Sequence, residues 1–380
     1  MNASLVPARQ PRRLAGLGTA AVLATALGAA APAHAQTAFS LDFIAGTTLQ
    51  QQAAFQQAAN VWSSILADSV TVNLTVGTAA LNPGVLASAS STMVRHTYAS
   101  TRTALANDAT SANDAIAVAN LQPGPNLNLL INGTSNNPNG AGSLTPYLDS
   151  SGINTAQAWM SNANAKALGL ATNNNPSGQA SGCITALCDG YIAFSTGFAW
   201  DYDPSDGITA GTYDFVGIAI HEIGHALGFI SGVDVLDFNT LGAFTDDQFN
   251  FVAPLDFYRC TAASAAHNAL DWTVGSGTDP KLFSLDGCDT SLASFATGQA
   301  NGDGRQASHW KDDLGIGLMD PTSSAGELKI LTQMDITAFD VIGWNLRQQA
   351  EVSTPAPASA LVFVFGLAGL AMARRRNARA

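Results

Sequence analysis

In residues 50–66 the apolar side chains Ala54, Phe55, Ala58, Val61, Trp62 and Ile65 recur every three or four positions, which predicts an amphipathic helix. Over residues 70–76 the interval drops to two, with valine and leucine alternating with polar residues, and a half-buried strand is expected. A second helix is predicted over 101–119 and a short strand over 127–131. Residues 132–182 are rich in Asn, Gly and Ser and read as loop, interrupted by one helix near 155–170. Residues 191–195 form a further expected strand. The acidic loop 201–211 then leads into a strongly apolar helix over 213–227. Residues 231–308 carry much Gly, Ser and Asp and little periodicity, and read as an insertion. A closing helix over 336–342 ends at Gly343.

The two ends follow other patterns. Arg9, Arg12 and Arg13, an apolar run over 14–32 and the small-x-small end Ala33-His34-Ala35 make a secretory signal peptide, cut after Ala35. At the other end Pro355-Ala356-Pro357 precedes an apolar run over 360–373, then Arg374, Arg375, Arg376 and Arg379. Counted from Pro355, the run comes near the lower limit for a transmembrane helix, and the arginines place everything before it outside the cell. The tail resembles PEP-CTERM sorting signals, with Pro-Ala-Pro where Pro-Glu-Pro is usual. That resemblance implies an exosortase-type processing enzyme as partner. A plain membrane anchor is the alternative. The expected organisation is a signal peptide over 1–35, one catalytic domain over 36–350 and a sorting signal over 351–380.

Removing both ends changes the charge. Residues 36–350 hold 9 basic and 27 acidic residues, a net charge of about −18. Such an acidic body excludes a nucleic-acid-binding role, which needs a basic footprint, and makes Ca²⁺ a second candidate ion. The four cysteines, Cys183, Cys188, Cys260 and Cys288, all lie in the exported part and predict two disulfides. Proximity favours Cys183–Cys188 and Cys260–Cys288 among the three possible pairings.

The chemistry concentrates in His221-Glu222-Ile223-Gly224-His225. Residues four apart share one face of a helix, so His221 and His225 can direct both imidazoles at a single Zn²⁺. Glu222, next to the first ligand, is the general base that such a site uses on water. Gly228 lets the chain leave the helix and turn towards a third ligand. A compact metzincin motif would place that ligand at 231, where this chain has Ser231. Asp234, His267 and His309 remain as candidates, since His96 lies far upstream and His34 leaves with the signal peptide.

The segment His221–His225 with Ala226-Leu227-Gly228-Phe229 after it, then Ser308-His309-Trp310 and Gly317-Leu318-Met319-Asp320-Pro321, is similar to leishmanolysin-like metalloproteases of the metzincin group. These insert a long segment after the glycine; here 84 residues separate His225 from His309. The resemblance implies an α+β, metzincin-like zincin with a twisted mixed sheet, an active-site helix and a loop-rich C-terminal half. It implies metal ligands His221, His225 and His309, base Glu222, and Met319 as a structural Met-turn. It also suggests the 191–195 strand as the exposed edge on which a peptide substrate would lie. Leishmanolysins are held inactive by a propeptide cysteine, and none lies between residues 36 and 182.

The expected function is therefore a secreted zinc metalloendopeptidase acting on protein or peptide substrates. The competing expectation is a non-catalytic, metal-stabilised protein of the cell surface or matrix. Glu222 weighs against it, because a structural zinc site closes its fourth position and has no use for that carboxylate. Asp201, Asp203 and Asp206 before Gly207 resemble a Ca²⁺ loop, but their spacing misses the EF-hand rule by one position and favours a solvated acidic turn. Asn301-Gly302-Asp303-Gly304 reads as a plain turn.

Overall fold

The computed structural model describes residues 36–347 except 176–178, 186, 240–241 and 276–279. The expected signal peptide and sorting tail lie outside these residues. Among the described residues no helix is long and apolar enough to cross a membrane.

The first periodic segments fold as their spacing demands. After strand β1 (Ala38–Phe43), helix α1 (Leu49–Ile65) starts from a capping box made by Thr48 and Gln51 and buries Phe55, Ala58 and Trp62. Strand β2 (Thr71–Ala79) follows, then β3 (Ala87–Ser91) and β4 (Met93–Thr97). The helix expected over 101–119 is two: α2 (Tyr98–Asp108) and α3 (Ala112–Asn120). They are divided where Ser111 leaves helical geometry to cap α3 with Asp114. Short strands β5 (Leu129–Ile131) and β6 (Tyr147–Asp149) lie before and within the stretch read as loop.

The helix expected near 155–170 is corrected to a one-turn α4 (Ile153–Ala156), strand β7 (Gln157–Ser161) and α5 (Asn162–Ala167). Antiparallel pairing with β4 overrides the helical spacing here, and Trp159 stacks on Phe251. Strand β8 (Gly190–Ser195) comes next, then the short parallel pair β9 (Trp200–Asp201) and β10 (Tyr213–Asp214), and then helix α6 (Phe215–Leu227).

The region read as an insertion is built from small elements: α7 (Val233–Asp237), β11 (Arg259–Cys260), α8 (Ala262–Ala265), β12 (Leu270–Trp272), β13 (Lys281–Phe283) and β14 (Ala293–Phe295). Helix α9 (Gln333–Val341), capped by Thr332, closes the domain. Both disulfides expected from proximity are formed, Cys183–Cys188 and Cys260–Cys288.

The fold is α+β with several sheets. The main sheet has the order β1-β2-β8-β3; the first three strands run parallel and β3 is antiparallel at the edge. Helix α1 packs against α6, and the Trp62 indole N–H donates to the Ile220 carbonyl of α6 at 2.9 Å. Two aromatic groups fill the core on either side of α6. Phe55, Phe194 and Phe215 meet at centroid distances of 4.2–5.2 Å, while Phe229, Trp310 and Phe295 continue the packing towards the C-terminal half.

Where α2, α3 and α9 meet, Asp68, Asp108, Asp114 and Asp340 gather around Asn345 and Ser111. Asn345 donates to both Asp68 and Asp108, and Ser111 donates to Asp340 at 2.7 Å. Burial pushes the Asp68 carboxyl up to about 6. Burial and the neighbouring Asp68 push Asp108 to about 7, and burial followed by Asp114 pushes Asp340 to about 6. A folded-state pKa above the unfolded value means a carboxylate that costs stability at neutral pH and costs nothing once protonated. Asp340→Asn is therefore expected to be more stable than the unmutated chain at pH 8 and to keep only about half of that gain at pH 5, the rest going as the pH falls towards the ordinary carboxylate range. Denaturant titrations of both at the two pH values check this; a gain independent of pH would contradict it.

Candidate metal centre

Helix α6 begins where Asp214 caps it, its carboxylate accepting from the Gly217 N–H at 2.8 Å and from the Lys329 N–H at 3.1 Å. Nearly the whole helix is buried, which fixes its backbone, while the imidazoles of His221 and His225 face a cleft. The helix stops at Gly228, which has φ 118° and caps the last turn through its own N–H. The turn brings the Phe229 carbonyl back to His225 Nδ1 at 2.8 Å.

The third imidazole comes from the other half of the domain. His309 sits between Ser308 and Trp310; its carbonyl accepts from the Ala296 N–H, and Trp310 bridges to Phe295 of β14. The three Nε2 atoms converge: His225 lies 3.0 Å from His221 and 3.2 Å from His309. Each Nδ1 faces a backbone carbonyl, Leu318 for His221 at 2.8 Å, Phe229 for His225 and Gln306 for His309 at 3.2 Å. A carbonyl can only accept, so each neutral ring carries its proton on Nδ1 and turns an Nε2 lone pair inward. Burial, then the mutual proximity of the rings, holds His221 and His309 well below the usual histidine range, and burial brings His225 to about 4. Three neutral acceptors aimed at one point cannot bond to one another, and a cation satisfies all three. Imidazole nitrogens suit Zn²⁺. Among the described residues this is the one group of three or more His, Cys, Asp or Glu whose ligand atoms lie within 4.8 Å of each other.

Glu222 opens into the same cleft, of about 640 Å³, as the three histidines. Burial alone pushes its carboxyl up to about 8.

Met319 lies in a turn after Leu318, whose carbonyl faces His221, and its sulfur lies against α6 at Gly224. A Cβ added at Gly224 would stand 2.8 Å from Met319 Sδ and 3.2 Å from Phe339 Cζ. Gly224→Ala is therefore expected to lower stability by about 1–3 kcal/mol through overpacking; thermal unfolding measures it, and an unchanged midpoint would show that the turn can yield. The turn itself is held by a residue that the motif search missed. Asp335, fully buried on α9, accepts from the Leu318 N–H at 2.7 Å, the Met319 N–H at 3.1 Å and the Trp310 indole at 2.8 Å. Its one sequence signal is the capping box with Thr332, which announces a helix start and nothing about a metal.

Other candidates lie elsewhere. Asp234 is bonded to the backbone of Ala307 and Ser308, outside the group of converging ligand atoms. His267 is exposed, and His96 bonds to the Ala171 carbonyl from β4. The Asp201 and Asp203 oxygens accept from N–H groups of their own loop, at Asp203, Ser205 and Thr209. Asn301 and Asp303 likewise brace their turn, on Asp237 and Thr297.

The edge assignment is corrected. Strand β8, which holds the expected 191–195 segment, is internal, flanked by β2 and β3. The edge strand beyond β8 is β3, and its residues line the same cleft as the histidines. The alanines and serines of β3 are half-buried and lack the large apolar side chains that mark β8 as a strand.

No family model matches the chain, and neither the curated proteins nor the solved structures searched contain a match.

Proposed function

We propose that the chain is an exported zinc metalloendopeptidase of the metzincin type, similar in its motif segments to leishmanolysins. The observation that carries this reading is the convergence of three neutral imidazoles beside a buried carboxylate with no hydrogen-bond donor among the described residues. His221, His225 and His309 would hold the ion and leave one position open. Zinc bound there supplies Lewis acidity and lowers the pKa of water to about 7.

Glu222 holds the proton taken from the attacking water and passes it to the amine that leaves when the peptide bond breaks. The edge strand β3 offers its unpaired N–H and C=O groups to an extended peptide, aligning the scissile bond along the cleft. Leu318 and Phe229, through their carbonyls, keep the first two imidazoles in the required tautomer. Met319 supports the floor of the site from below. In this reading the signal peptide exports the domain, and the C-terminal tail anchors it until an exosortase-type enzyme processes it.

Zinc content and casein cleavage of the purified chain test the proposal. One zinc per chain together with metal-dependent cleavage upholds it. One zinc with no cleavage across a broad set of proteins would give the site to a metal-stabilised surface protein.

A further inference from the structure

Resting on the zinc reading of the triad, we infer that Asp234 is the positioning residue that sets the third imidazole in place. The problem it solves is one of reach. His221 and His225 are spaced by one helix, whereas His309 follows 84 residues later and has no local geometry tying it to them. Where a compact motif would supply the third ligand, this chain has Ser231, and the stretch that follows is knitted to the His309 loop.

Asp234 opens α7, one short turn beyond the end of the active-site helix. One carboxylate oxygen accepts from the Ala307 N–H at 2.5 Å. The other accepts from the Ser308 N–H at 3.1 Å and, in a very short contact, from the Ser308 hydroxyl. That hydroxyl in turn accepts from the Ser231 N–H at 2.8 Å. Both residues before His309 are thus tied directly to the chain that leaves α6, and three donors converge on a single carboxylate.

The carboxylate side of this tie is itself anchored. Ser231 donates its hydroxyl to Asp256 at 2.5 Å, and Asp256 also accepts from the Gly232 and Ala253 N–H groups and from the Trp272 indole. The segment 231–234 is therefore a fixed post. Its effect passes directly to the ring, because the Gln306 carbonyl that orients His309 Nδ1 belongs to the residue just before the tied pair. Loss of the tie frees Gln306 to Ser308 and with them the angle of the imidazole. Outer-sphere partners of this kind typically contribute 10–100-fold to metal affinity.

A neighbour provides the contrast. Asp237, on the same short helix, accepts from the Ala300 and Asn301 N–H groups and so braces a different turn. The experiment measures zinc affinity by chelator competition, the visible spectrum of the Co²⁺-loaded chain and the unfolding midpoint of the metal-free chain. The chains compared are unmutated, Asp234→Ala, Ser308→Ala and Asp237→Ala.

Asp234→Ala is expected to lose about 10–100-fold in zinc affinity and to show an altered Co²⁺ spectrum. Asp237→Ala is expected to lower the midpoint while keeping the unmutated affinity and spectrum. An Asp234→Ala chain that folds and keeps its affinity and spectrum overturns the inference. If that variant does not fold, Ser308→Ala decides: a drop in affinity supports the tie, and an unchanged affinity overturns it. An unmutated chain that takes up no zinc overturns the zinc reading and this inference together. One that takes up zinc but cleaves nothing overturns the protease reading alone.

Discussion

Glu222→Gln is expected to keep one zinc per chain and to lower the rate of casein cleavage by roughly 10²–10⁴-fold, the usual contribution of a positioned general base. The side chain lines the cleft beside His221, and burial with no donor among the described residues leaves its carboxylate free to take a proton. Glutamine preserves size and polarity, so the histidines and their carbonyl partners are untouched. A second effect has the opposite sign. In the metal-free chain burial raises the Glu222 carboxyl to about 8, so at pH 7 the folded chain must hold it protonated while the unfolded chain leaves it ionised, which costs stability. Metal-free Glu222→Gln should therefore gain stability at pH 7, on the order of 2 kcal/mol, and the gain should vanish near pH 4. Kinetics, zinc analysis and denaturant titration on the same preparation read both effects. Retained cleavage would remove Glu222 from the chemistry, and a loss of zinc would make it a ligand.

His309→Ala is expected to weaken zinc binding by well over the 10–100-fold typical of an outer-sphere change, and to abolish cleavage with it. The substitution leaves two imidazoles of one helix, which cannot enclose an ion alone, and opens a hole beside Trp310. Because the Trp310 indole is bonded to Asp335 and stacked on Phe295, the surrounding turn should hold its shape. The metal-free unfolding midpoint should therefore move little while zinc affinity collapses. Unchanged zinc affinity would exclude His309 as a ligand and return Asp234 to consideration, although its oxygens are already bonded to Ala307 and Ser308.

Much of this could be read without a structure, because some signals are local. The period of α1, the alternation in β2, the apolar α6 with His221 and His225 one turn apart, the end of that helix at Gly228 and both disulfide pairs follow from short-range spacing. The helix expected near 155–170 failed because its spacing was weak and β4 offered ladder partners from 60 residues away. The edge strand was misassigned for a related reason. Apolar content marks β8 as a strand, but only sheet order reveals that β3 covers one side of it and faces the cleft.

At the candidate centre the division follows distance along the chain. Residue types and their helical spacing determined the first two histidines and the base, since a helix carries that geometry with it. The convergence of His309 on them, the carbonyls that set each tautomer and the ties made by Asp234 and Asp335 were decided by tertiary structure. The Leu318 carbonyl on His221, the meeting of His225 with His309 and the Asp234 tie join residues 73–97 apart, and Asp335 belongs to a capping pattern with an ordinary local meaning. The Phe229 and Gln306 carbonyls, though 3–4 residues from their rings, carry no sequence signal of that contact; only packing of the two halves around α6 assembles the group.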